Sequence, residues 1–206
     1  MMNRSPAAVV VLLLLCLPLA SSFAAKKAGG KKKVTSAPKG FGAPPATWQE
    51  AAAKCKNRMP RTEVPCPCGT GNVYEQCCAP YHKGDAYPES ILPLLRSRYS
   101  AFCFRDIKYV IDTTHPICAD WREDKMAWVK DLNKGGMFDN HDFVDLDAGP
   151  EECVSETEGF ITFKLKMVGH ERSAFEGKEH IITERSKFLK GEDGRWVYAT
   201  GEVDIA

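Results

Sequence analysis

Val64-Pro65-Cys66-Pro67-Cys68-Gly69-Thr70-Gly71-Asn72-Val73-Tyr74-Glu75-Gln76-Cys77-Cys78 places four thiols within thirteen residues. Cysteines separated by one residue or none cannot meet the facing Cβ geometry of an unstrained disulfide, but they suit a metal. Zinc takes four soft ligands at tetrahedral corners. Gly69 and Gly71 let the backbone turn sharply after the first pair, and Pro65 and Pro67 stiffen the approach. A short helical turn over 73–76 would then return Cys77 and Cys78 to the same centre. Four thiolates close the shell and leave no position for water, so the expected site is one structural zinc held by Cys66, Cys68, Cys77 and Cys78. His82 is the alternative fourth ligand if Cys78 points away.

On either side of this cluster the chain changes character. The 206 residues carry 28 basic and 27 acidic side chains, but residues 1–50 hold seven of the basic ones and only one acid, Glu50. Residues 51–206 are therefore mildly acidic, with a net charge of −5. That balance gives no electrostatic reason to expect nucleic acid or anionic lipid as the main partner. Arg4, an apolar run over 7–20 too short to span a bilayer, and the small residues around Ala20-Ser21-Ser22 predict a signal peptide over 1–22. The Lys-, Gly-, Ala- and Pro-rich stretch 23–47, with no acid, predicts a disordered, transit-like segment. Signal followed by transit segment, with Phe23 at the junction, resembles the two-part leaders of proteins sent to complex plastids. The resemblance implies a plastid stroma, whose reducing conditions suit zinc thiolates, and no membrane contact after the leader is cleaved. Secretion as a disulfide-bonded protein is the alternative, because eight cysteines lie outside the signal.

Thr47 is placed to cap a short helix over Trp48–Lys54. Cys55, between Lys54 and Lys56, reads as an incidental surface thiol rather than an activated one. Beyond the cluster, Ser90 opens a long helix, with Pro93 tolerated in its first turn and Ile91, Leu92, Leu95, Tyr99 and Phe102 on one face. Shorter helices are predicted over 107–111 and 125–132, the latter stopped by Gly135-Gly136. Alternation then predicts strands over 160–168, 180–189 and 195–203, with a weaker one over 138–146. Three helices followed by an antiparallel meander give an α+β class, a small zinc knuckle preceding helices packed on a curved sheet.

Cys-Pro-Cys-Gly-Thr-Gly, then Tyr74, then Cys77-Cys78 resembles the SEC-C zinc motif, with Thr70 where serine is usual. Pro80-Tyr81-His82-Lys83-Gly84, Arg96-Ser97-Arg98-Tyr99-Ser100-Ala101-Phe102, Thr114-His115-Pro116, Glu184-Arg185-Ser186-Lys187-Phe188 and Gly194-Arg195-Trp196-Val197-Tyr198 extend the likeness to the YchJ-like family. That resemblance implies zinc, a SEC-C segment within 48–82 and a cone-shaped domain like nuclear transport factor 2 over 83–206. It implies no settled activity.

Ile182, Glu184, Ser186 and Phe188 share one face of a strand. If that face lines a cavity, Glu184 and Ser186 become ligand-pocket candidates, and His115 is a third. The opposite assignment turns Ile181, Thr183 and Leu189 inward. Arg96 and Arg98 precede Tyr99 and could pair the Glu184 carboxylate, but read rather as surface ion pairs or contacts to the knuckle. His141, among Asp139, Asp142, Asp145 and Asp147, reads as part of a solvated strand edge, and Trp121, Trp128 and Trp196 as core aromatics. No Ser-His-Asp order, phosphate loop or dinucleotide glycine pattern is present, so the sequence leans against an enzyme. A zinc-stabilised module that binds a protein partner is the leading expectation. A small molecule held in the cone, with or without catalysis, is the alternative.

Overall fold

The computed structural model describes residues 47–60, 63–134, 140–171 and 173–205. The expected leader, the Gly135-Gly136 stop and the start of the first strand lie outside these residues. In chain order the elements are α1 (Trp48–Ala53), a 3₁₀ turn (Tyr74–Gln76), α2 (Ala79–Lys83), α3 (Ile91–Phe104), α4 (Ile107–Asp112), α5 (Lys125–Asn133) and strands β1 (His141–Cys153), β2 (Glu158–Gly169), β3 (Glu179–Lys190) and β4 (Trp196–Ile205). No helix among them is long and apolar enough to cross a membrane.

The four strands form one antiparallel sheet in the order β1-β2-β3-β4. Register shifts at Phe143/Asp145 and Ala148/Glu151 in β1, and at Ala199 of β4 opposite Lys187/Phe188, put extra residues into single strands, which bends a sheet and increases its twist. The face turned to the core carries Leu146, Ile161, Phe163, Phe188 and Trp196. These pack against Ile91, Leu94, Leu95 and Tyr99 of α3 to make the main core. A second cluster joins Ala52 of α1 to Ile107 and Ile111 of α4 and to Trp128 and Val129 of α5. The class expected from sequence, helices on a curved antiparallel sheet behind a cysteine cluster, is the class observed.

Local departures have physical causes. Thr47 caps α1 as expected, its side chain accepting from the Glu50 amide at 3.2 Å. Ser90 does not cap α3. Its hydroxyl instead donates to Glu151 Oε1 at 2.6 Å, and the Leu92 amide donates to the same oxygen at 2.8 Å. A carboxylate from β1 thus satisfies an amide that the helix leaves open, and its charge suits the positive end of the helix. Helix α3 is also more enclosed than a one-faced amphipathic helix, since Ser97, Arg98, Ser100 and Ala101 are buried as well. The sheet, the cysteine segment and α4 surround it. His141 corrects the solvated-edge reading: it is 2% exposed, its ring 5.0 Å from Phe175 and 5.4 Å from His180, while Asp145 and Asp147 beside it are exposed. Trp128 and Trp196 are buried, and Trp121 is partly covered, with the Lys125 ammonium 4.1 Å from its ring centre.

Candidate functional site

The cysteine segment is a small hairpin. Pro65 bridges Val73, the Cys66 amide donates to the Asn72 carbonyl at 2.8 Å, and the Tyr74 amide donates to the Val64 carbonyl at 2.9 Å. Gly69 and Gly71 sit at φ 79° and 80°, where a side chain would be strained, and this lets the loop carry Cys66 and Cys68 inward. The 3₁₀ turn delivers Cys77, and Cys78 occupies the N-cap position of α2. All four sulfurs lie within 4.8 Å of one another, with Cys68 to Cys77 at 3.4 Å and Cys77 to Cys78 at 3.9 Å. Sulfurs at tetrahedral corners about 2.3 Å from a zinc ion stand roughly 3.8 Å apart, so the donor set fits a tetrathiolate metal. The spacing is too long for a disulfide, and all eight described cysteines are free.

Thiol chemistry points the same way. Hydrogen bonds from Cys66 and Cys78 hold the Cys68 thiol well below its ordinary value, and Thr70 adds to them. The reciprocal effect on Cys66, through its bond to Cys68, pushes that thiol up to about 12. Cys78 is raised by its bonds to Cys66 and Cys68 and then by burial, with Ser100 favouring its thiolate in opposition. A dication held by Cys66, Cys68, Cys77 and Cys78 would supply the charge that lets all four ionise together.

His82 is not placed as a ligand. Its Nε2 lies 2.9 Å from the Ser97 carbonyl and its Nδ1 2.8 Å from the Tyr74 hydroxyl. A carbonyl only accepts, so Nε2 carries the proton, and the neutral ring accepts from Tyr74 at Nδ1. Burial depresses the pKa of His82, which keeps the ring in that state. The imidazole therefore ties the 3₁₀ turn to α3, packed between the rings of Tyr74 and Tyr109. Arg96 makes a second tie, donating to the Cys68 carbonyl at 2.5 Å. His82→Phe is expected to lower stability by about 1–3 kcal/mol, since it strands two buried hydrogen-bonding groups while keeping a ring in place. Metal stoichiometry by mass spectrometry should stay unchanged, whereas loss of the metal would make His82 a ligand after all.

A second polar cluster sits between α3 and the sheet. Ile182, Ser186 and Phe188 are 4%, 1% and 0% exposed and Ile181 is 47% exposed, so the face carrying Glu184 is the inward one. Glu184 accepts from the Ser186 hydroxyl at 2.5 Å and from the Tyr198 hydroxyl at 3.2 Å. Its carboxylate lies directly over Gly201, where any Cβ would collide with it. Arg98 corrects the surface reading and lies on the side of Glu184. It is 7% exposed, and its Nη1 donates to the Val110 and Thr113 carbonyls and to the Thr113 and Thr114 hydroxyls, with the guanidinium 4.8 Å from the Tyr198 ring centre. The available signal was its position, four residues after Leu94 and three before Ala101, in the buried row of the helix. His115 stands apart from Glu184 and Ser186: its ring accepts from the Ile117 amide at 3.1 Å, and only its backbone meets the sheet, donating to the Tyr198 carbonyl.

Burial raises the pKa of Glu184 above its ordinary value, partly offset by Ser186, Tyr198 and Arg98. The native state then holds this proton at pH values where the unfolded chain has released it. The associated stability is complete below the ordinary carboxyl value and is lost as pH rises through the folded value. Glu184→Gln should therefore gain stability relative to the parent as pH rises from 4 towards neutrality. Parallel urea titrations across that range measure the difference, and a constant difference would exclude the shift.

Cys55 carries no sign of activation: its thiol donates to the Ala51 carbonyl at 3.3 Å, and burial raises its pKa.

Comparison with known proteins covers both parts of the chain. Residues 64–80 match the SEC-C motif, and residues 90–201 match the family described as YchJ, middle NTF2-like domain. A UPF0225 protein of Sodalis glossinidius is 34% identical over 142 residues, covering 66% of this chain and 82% of that one. UPF0225 protein YchJ of Shigella dysenteriae is 35% identical over 138 residues, covering 66% and 81%. The solution structure of a SEC-C motif-containing protein from Rhodopseudomonas palustris superposes with a TM-score of 0.51 at 29% identity, covering 68% of this chain and 98% of that chain.

Proposed function

Since the chain belongs to the YchJ-like family, a SEC-C motif followed by an NTF2-like domain, we propose that it is a zinc protein whose metal is structural and whose role is to hold a protein partner. The observation that carries the reading is the closed set of four thiols, with the one nearby imidazole committed to Tyr74 and Ser97. A tetrathiolate has no open position for water or substrate, so the ion contributes rigidity rather than chemistry. The surface made rigid is the exposed loop Gly69–Asn72 with Glu75 and Gln76. Free cysteines throughout the described residues suit a reducing compartment, in keeping with the stromal destination proposed from the leader.

The direct test is native mass spectrometry of the full chain, purified under reducing conditions without added metal. One zinc with thiols intact supports the reading, and a chain free of zinc overturns it. The partner role is tested by changing Asn72, Glu75 and Gln76 to alanine. Proteins retained by the parent should be released by this variant, and an identical retained set removes the role.

One observation favours a second reading, a small ligand bound within the cone-like domain: Glu184, Ser186, Tyr198 and Arg98 put a polar cluster against an otherwise apolar sheet face. On that reading Glu184→Gln loses any small molecule that accompanies the parent through purification. An unchanged ligand profile counts against it.

A further inference from the structure

Away from both clusters, a cleft of about 440 Å³ opens where four separate parts of the chain meet. Lys56 and Arg58 come from the segment after α1, Arg105 from the end of α3, Asn133 from the end of α5, and His170 from just after β2. Among the described residues the lining carries three full positive charges, with the Asp142 carboxylate bonded to Arg58 and His170 at one side, in a body whose net charge is −5.

Arg105 makes the floor. It is the C-cap of α3 at φ 60°, ψ 43°, a left-handed conformation that usually selects glycine, and among the described residues it is the one non-glycine with positive φ. A side chain kept at such a position does something glycine cannot. Here the guanidinium is 4% exposed as part of its residue, with Nη1 donating to the Lys56 carbonyl at 3.0 Å and Nη2 to the Asn133 carbonyl at 2.9 Å. Two walls of the cleft are thereby fixed to one buried cation. The third wall is fixed by Asp142, which receives Arg58 at 3.3 Å and His170 at 2.9 Å on its two carboxylate oxygens. The Arg58 amide also donates to the Phe104 carbonyl at 2.7 Å. The basic groups are thus held in place by bonds to the fold before any ligand arrives.

We propose that this cleft binds a small phosphorylated molecule, its phosphate seated among Lys56, Arg58 and the Arg105 floor. The exposed Lys56 and Arg58 supply the donors that meet the phosphate oxygens, and Arg105, committed to two carbonyls, adds positive charge from beneath. The volume exceeds that of phosphate alone and accommodates a ligand of metabolite size, with His170 and Asn133 left to meet its polar remainder. The site shares no residue with the cysteine cluster, so its success or failure is independent of the metal reading.

The experiment is calorimetric titration of the full chain with pyrophosphate at low ionic strength, repeated with inorganic phosphate and with succinate. The variants are Lys56→Gln and Lys56→Gln/Arg58→Gln. Lys56 holds Arg105 through its backbone carbonyl, so the single variant leaves the floor intact. Lys130→Gln/Lys164→Gln removes equal charge from elsewhere on the surface. The proposal expects one saturable site in the parent and the control, an affinity loss of several-fold in Lys56→Gln, and a loss of tenfold or more in the double variant. Absence of saturable binding overturns it. Equal binding by all variants overturns it too, reducing the effect to an adventitious ion only, attracted by the lysines of residues 26–39. Tighter binding of succinate than of pyrophosphate overturns the phosphate assignment.

Discussion

Changing Cys68 to serine is expected to release the metal and to lower stability by more than about 3 kcal/mol, because the binding energy of a structural zinc is also folding energy. Cys68 is fully buried and its sulfur lies 3.4 Å from that of Cys77, so its loss affects the donor set from within. Chemical denaturation paired with metal analysis of the same samples measures both effects. Cys55→Ser is the matching control, since that thiol has only a local bond to Ala51. If Cys68→Ser kept its metal and its unfolding midpoint, the four-thiol centre would be wrong. If it lost zinc without loss of stability, the ion would not be structural.

Arg98→Met is expected to cost about 1–3 kcal/mol despite its similar volume, because it leaves buried acceptors without their charged donor. The substitution removes the donor that reaches Val110, Thr113 and Thr114, and it withdraws the positive charge that favours the Glu184 carboxylate. Adding Glu184→Gln to Arg98→Met should recover part of the loss, a coupling of about 1–3 kcal/mol for residues in one network. Four urea curves complete the cycle. Additive single effects would mean that the two groups, although buried near each other, do not interact.

Periodicity and spacing read most of this architecture because it rests on local rules. The alternation around Ile161, Phe163, Leu165 and Met167 gave β2, and Thr47 gave the start of α1. The cysteine spacing, with Gly69 and Gly71, gave a turn that could return Cys77 and Cys78 to Cys66 and Cys68. What stayed illegible depends on contacts between residues far apart. Nothing near Ser90 announces that Glu151 will take over the start of α3. Arg98 looks like a surface arginine because a charge on a helix is usually solvated, and only the enclosure of α3 on several sides places it inside. His82 looks like a ligand from its neighbours, yet it is committed elsewhere by a carbonyl fifteen residues further along the chain. The fold of β1 beyond Leu146 escaped because Gly149 and Pro150 break the pattern, while the bulge there lets the strand continue to Cys153.

Strands that pair only with their neighbours in the chain can zip in sequence, each closing the short connection at 154–157, 170–178 or 191–195. The entropic cost of each such closure is small, and proteins rich in near-neighbour contacts fold fast. The first turn of α3 obeys a different clock. Its carboxylate partner is supplied from about sixty positions downstream, so on a growing chain that end of the longest helix waits for β1 to be synthesised and to dock. The cysteine hairpin, complete by Cys78, needs no such delay. The donor set is thus complete within a short stretch of chain, whereas the helix beside it is secured only once the sheet has docked.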